Sequence, residues 1–153
     1  MSALELKIPP VALVLAFAVA MRLLSAYEQS LTMALPWHTA VAIAFVCAGI
    51  IITLVAVVAF HRIKTTVNPT KPGTTSAMVT SGVYRLSRNP MYLGFLLALT
   101  GWAFFLSHAL AFAFLPLFVA YMNRFQILPE ERALSAKFGP EFSAYKESVR
   151  RWL

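Results

Sequence analysis

The chain contains no aspartate, a single cysteine and only six acids, Glu5, Glu28, Glu130, Glu131, Glu141 and Glu147. One cysteine, Cys47, excludes an intrachain disulfide. With three histidines scattered at 38, 61 and 108, no metal-ligand cluster is available, and no metal is expected. Internal repeats and low-complexity linkers are absent as well. Charge is missing altogether from residues 37–60. A chain of 153 residues that is 59% hydrophobic, with mean hydropathy +0.72, is too apolar for an ordinary soluble domain. The reading that survives these absences is an integral membrane protein.

Two apolar runs, residues 9–27 and 37–60, are long enough to cross about 30 Å of hydrocarbon as helices. Pro9 and Pro10 suit a helix start, and Arg22 lies near the far end, where it can reach outward. Ala18-Val19-Ala20 imitates a processing site, but a single lysine precedes the apolar run, so the segment reads as a span. Residues 91–107 and 109–128 read as a helical hairpin turning near Ser107-His108, with Pro116 kinking its second arm. Asn123, Arg124 and Gln126 in the last turns of that arm should face protein or a wet pocket. The expected fold is all-α, a single domain over 1–153 with about four transmembrane helices and a C-terminal helical cap.

The basic residues are placed asymmetrically. Residues 61–90 carry Arg62, Lys64, Lys71, Arg85 and Arg88 with no acid, and residues 123–153 carry six bases. Residues 28–36 and 107–109 carry no Lys or Arg. The net charge of +7 therefore reads as the positive-inside effect rather than as a nucleic-acid footprint. It places 61–90, 129–153 and the N-terminus in the cytoplasm, at the plasma or inner membrane.

Those two cytoplasmic segments hold the chemistry. Pro129 suits a helix start with Glu130 and Glu131 in its first turn, and Gly139-Pro140 should break the helix. A second helix is expected to follow, with Phe142, Tyr145, Val149 and Trp152 on one face. Each feature has a plain alternative: a dipole-matched helix start for the glutamates, an amphipathic strip on the membrane for the last helix, an anchor and cap for Arg88-Asn89-Pro90. Gly94, Ala98 and Gly101 form a small-residue seam, read first as a helix contact and second as room for an acceptor. None of the histidines is assigned a catalytic role.

"TSGVYRLSRNPMYLG", followed after one hairpin by "EERALSAKFGPEFSAYKESVRRW", resembles the isoprenylcysteine carboxyl methyltransferase family and its phospholipid methyltransferase relatives. The likeness covers about residues 65–153. It implies S-adenosylmethionine as methyl donor, held by Ser76, Ala77, Met78, Val79, Tyr84, Asn89, Pro90, Met91, Tyr92 and Glu130. The eukaryotic enzymes carry His at the positions of Ser76 and Asn89, and a substrate-contacting Arg at that of Gln126; Arg124 is the nearest substitute here. The residue types fit the chemistry, since aromatic faces attract a sulfonium and carboxylates accept from hydroxyls or an ammonium.

The acceptor is expected to be lipophilic or lipidated, with a carboxylate, amine or thiol as nucleophile, and membrane lipids are the surrounding partners. A carboxylate needs only a cation to place it, for which Arg124 is the candidate. An amine must lose a proton, for which Glu130 or Glu131 would act. A phospholipid N-methyltransferase is the alternative within this class. A non-enzymatic four-helix transport or assembly protein is the alternative outside it. A proton-coupled transporter would want an ionisable group at mid-membrane, and the glutamates all lie outside the apolar cores.

Overall fold

A computed structural model describes residues 5–62 and 77–153. Among the described residues five α-helices run in the order α1 (Pro10–Tyr27), α2 (His38–Arg62), α3 (Pro90–Leu106), α4 (Ala109–Tyr121) and α5 (Leu128–Ser148). No strand occurs among the described residues, and the protein is an all-α polytopic membrane protein. The helices begin where the sequence places a proline or end where it supplies a turn. Pro10 opens α1 and Pro90 opens α3. Ser107 closes α3 in the left-handed conformation, φ 47°, with its N–H on the carbonyls of Ala103 and Phe104.

Each span buries one stripe of residues and leaves the opposite face to lipid. On α1, Leu13, Phe17 and Met21 recur every fourth residue and pack into the core with Phe118 of α4. Phe17 meets Phe114 and Phe118 edge-on, with centroids 6.1 and 5.5 Å away. Val11, Leu15, Val19 and Leu23 on the other face are exposed, as lipid contact demands. The Trp102 indole N–H donates to the Ala18 carbonyl at 3.0 Å, tying α3 to α1.

The closest packing joins α2 to α3. The buried residues of α2 are Ala42, Gly49 and Ala56, seven apart; Ala42 and Gly49 face the seam of Gly94, Ala98 and Gly101, and Ala56 packs beyond it against Val79 and Tyr84. A Cβ on Gly49 would stand 2.5 Å from the Gly94 carbonyl oxygen, and one on Gly101 would stand 2.7 Å from that of Ala42. One on Gly94 would collide with the Thr53 hydroxyl. The seam is a helix contact, filled by α2, and the alternative of acceptor room beside α3 does not hold.

The hairpin's second arm does not stop where the sequence predicts. α4 passes through a π-helical turn, Met122–Ile127, straight into α5. Pro129 therefore lies inside a continuous rod rather than opening a separate helix. The Gly139-Pro140 break is present as a kink, with Gly139 at φ 49°. The final helix ends at Ser148, so Val149 and Trp152 are not on its face, and residues 149–153 run back across the start of α3.

The loops gather at the two ends of the bundle. At one, Met33 N–H donates to the Ser107 carbonyl at 2.7 Å and the buried His108 ring pairs with the Glu28 carbonyl. At the other, residues 5–8, 77–89 and 122–153 converge. Replacing Gly94 by Val should lower stability by about 1–3 kcal/mol through overpacking. Thermal melting in detergent checks this; an unchanged melting temperature would show that α2 and α3 are not packed through this seam.

Candidate active site

Glu130 and Glu131 are neighbours on the first turn of α5, and the fold treats them oppositely. A step of about 100° around the helix points them at different elements. Glu131 faces Arg88, just before α3, and Arg151 in the C-terminal segment. Arg88 Nη2 lies 3.0 Å from Glu131 Oε1, and Arg151 grips both oxygens, Nε to Oε1 at 3.1 Å and Nη2 to Oε2 at 2.6 Å. The Arg88 and Glu131 side chains are only 12% and 14% exposed, so this is a largely dry, charge-assisted pair.

Glu130 has no such partner. Its carboxyl accepts from the Tyr92 phenol, and no Arg or Lys pairs with it among the described residues. Burial pushes the Glu130 carboxyl up to about 8; the Tyr92 hydrogen bond opposes that shift and the charge of Glu131 adds to it. Tyr84 lies close enough to feel this charge, and burial is the first cause that raises its own pKa. Its hydroxyl is buried without a hydrogen-bond partner among the described residues. A carboxyl without a cation, and an orphaned phenol within reach of its charge, are an unfinished polar site. A bound group that offers a cation and a hydrogen-bonding partner would complete it.

The walls come from three elements. Val79 and Tyr84 are buried together with Ala56 of α2, and Ala59, Phe60, Val83 and Met91 pack against them. Phe60 meets the Tyr84 ring edge-on at 5.5 Å. The backbone of Tyr84 is fixed from the cap, where the Tyr145 hydroxyl donates to its carbonyl at 2.6 Å.

The predicted site residues have different fates. Val79, Tyr84, Met91, Tyr92 and Glu130 come together here; Pro90 is buried as the first residue of α3, and Ala77 and Met78 are half-buried just upstream. Asn89 stands at the cap position of α3, yet its side chain does not cap the helix; it donates to the Arg151 carbonyl at 3.0 Å. Ser76 lies outside the described residues. The two expected catalytic residues are engaged elsewhere. Glu131 is held by two guanidiniums, those of Arg88 and Arg151. Arg124 pairs with Glu5 at 3.2 Å and lies over the Phe125 ring, rather than reaching Tyr92 and Glu130.

Sequence reasoning missed Phe60, which closes a long apolar run and looks like any lipid-facing residue. It also missed the clamp through Arg88 and Arg151. The sequence signal for that clamp was a pair of basic residues at the end of a chain whose cap already held two acids.

The sequence profile of the family described as phospholipid methyltransferase matches residues 37–141. An uncharacterized protein of Haemophilus influenzae is 46% identical over 63 residues, which is 41% of this chain and the whole of that relative. No solved structure matches.

The raised Glu130 carboxyl fixes a pH dependence. A folded-state pKa of about 8 against an ordinary 4.5 favours the protonated form in the folded protein. That contribution is fully present below about 4.5 and is lost as pH rises through about 8. The ligand-free melting temperature should therefore fall between these values, and Glu130→Gln should remove this part of the slope. Melting curves of both proteins across that range are the check; identical slopes would place Glu130 in water.

Proposed function

The chain belongs to the phospholipid methyltransferase family, and from that premise we propose that it is a membrane enzyme that moves a methyl group from S-adenosylmethionine to a bilayer-resident lipid. The observation that carries this reading is the contrast between the two glutamates. Glu131 is neutralised by protein cations, whereas Glu130 has no protein cation paired to it among the described residues and its charge reaches Tyr84, whose hydroxyl is orphaned. Glu130 would accept from the donor's ammonium or ribose hydroxyls, with the Tyr92 phenol fixing the carboxyl's rotamer. Tyr84 would hydrogen-bond the same ligand, and its ring, with Phe60 and Met91, would cover an apolar or cationic part. Met78 and Val79 would line the approach from the loop.

The bound donor supplies an electrophilic methyl on a sulfonium. The protein's part is alignment and the exclusion of water, which together can supply several of the roughly 7–11 kcal/mol available from proximity. Glu131, Arg88 and Arg151 serve as positioning residues. They lock the start of α3, which carries Tyr92, against the start of α5, which carries Glu130. The acceptor's nucleophile must lie at headgroup level, because Tyr92 and Glu130 stand where an apolar span gives way to the polar cap. The basic segments, and with them this site, are assigned to the cytoplasmic side.

Glu130→Gln and Tyr84→Phe should each weaken S-adenosylhomocysteine binding by about 1–3 kcal/mol while the protein stays folded. Calorimetric titration with a melting control measures this; full affinity in both variants would place the donor elsewhere. Reporter fusions after Leu153 and at Thr32 should give opposite readings, and an external signal from Leu153 would invert the assigned topology.

A further inference from the structure

Among the described residues, Glu5 is the deepest charge outside the site just described. Its side chain is 4% exposed, yet it belongs to the short segment before α1. Two guanidiniums converge on it, Arg124 Nη1 on Oε1 at 3.2 Å and Arg132 Nη2 on Oε2 at 2.6 Å. Both arginines are open to the surroundings, 53% and 56% exposed. In a regular α-helix residues eight apart diverge by about 80°, and the wider π-helical turn at Met122–Ile127 reduces that divergence. The π turn therefore brings Arg124 and Arg132 to one anion. Arg132 is two residues beyond Glu130, on a different side of α5 but at the same end of the bundle.

The segment that delivers Glu5 is held by the same turn. Pro129 has no N–H to offer the Phe125 carbonyl four residues back, and the Leu6 N–H takes that acceptor at 3.1 Å. The Gln126 side chain donates to the Ile8 carbonyl at 2.6 Å, while its own buried oxygen has no partner among the described residues. Leu6 itself is in the left-handed region, φ 58°, a strained state for leucine that its neighbours must maintain.

We propose that Arg124 and Arg132 form a binding site for the phosphodiester of an anionic lipid, separate from the methyl-transfer pocket, and that the Glu5 carboxylate occupies it as an internal stand-in. The match is chemical. The carboxylate presents one oxygen to each guanidinium and carries one negative charge, and the two non-bridging oxygens of a phosphodiester offer the same bridge with the same charge. The arginines' exposed sides give a headgroup access, and a basic surface concentrates anionic lipid beside them. Lipid binding would displace Glu5 and relax the strained Leu6 backbone.

The test uses the full chain in maltoside micelles, which contain no phosphate. Short-chain phosphatidylglycerol, diacylglycerol with the same chains, and inorganic phosphate are titrated separately. Binding is read by native mass spectrometry and strap release by hydrogen exchange at the Leu6 amide. Phosphatidylglycerol should bind and speed Leu6 exchange, and the other two should not. Arg132→Gln should weaken that binding roughly tenfold and Glu5→Gln should strengthen it by a similar factor, about one charged hydrogen bond in each case. Leu6 exchange in the wild type that ignores phosphatidylglycerol overturns the proposal, whether or not either variant folds. Equal action by diacylglycerol overturns it too, and equal action by inorganic phosphate overturns the lipid assignment. S-adenosylhomocysteine binding in the same micelles reports separately on the donor pocket, so a failure of one reading is not a failure of the other.

Discussion

Glu131 lies between Arg88 and Arg151, and three parts of the chain that are distant in sequence meet on that one carboxylate. Arg88 also donates to the carbonyls of Lys146 and Val149, at 2.8 and 3.1 Å, and its backbone N–H to that of Arg150 at 3.0 Å. The C-terminal segment is thereby pinned across the entrance of α3. Trp152 then donates to the Asn123 side chain at 3.1 Å, extending the same brace to the π turn. Removing one member of a buried pair of this kind leaves a charge uncompensated, at a cost of about 3–5 kcal/mol. With Glu131 neutralised in this way, its neighbour Glu130, which has no paired cation among the described residues, still sits in a fixed place.

The spans were legible because length and charge decide them. The apolar runs at 9–27 and 37–60 became α1 and α2 with ends shifted by one or two residues, and the Ser107-His108 turn fell where the hairpin needed it. The small-residue spacing of Gly94, Ala98 and Gly101 identified a contact face, but not which helix would fill it. That choice rests on Ala42 and Gly49, whose spacing of seven does not stand out within a run of small and branched residues. The gathering of Val79, Tyr84, Tyr92 and Glu130 followed from their motifs and their common end of the bundle.

What stayed hidden depends on tertiary geometry. Pro129 before two glutamates looks like a helix start, and only the packing of α4 shows the helix passing through it. The π turn has no compositional signature; its trace is the donor that Pro129 withholds from Phe125, a gap that the distant Leu6 fills. The separate fates of Glu130 and Glu131 could not be read from two identical letters. They follow from the helical step between them and from a kink at Gly139 that lets Arg151 return to the start of its own helix.

The central claim is that the protein neutralises Glu131 itself and leaves Glu130 for a ligand. Infrared difference spectroscopy on adding S-adenosylhomocysteine near neutral pH tests it most directly, because it sees a carboxyl losing its proton. A protonated-carboxyl band should disappear on binding, be absent from Glu130→Gln and persist in Glu131→Gln. A band that vanishes with Glu131→Gln instead, or wild-type binding with no change in carboxyl protonation, would contradict it.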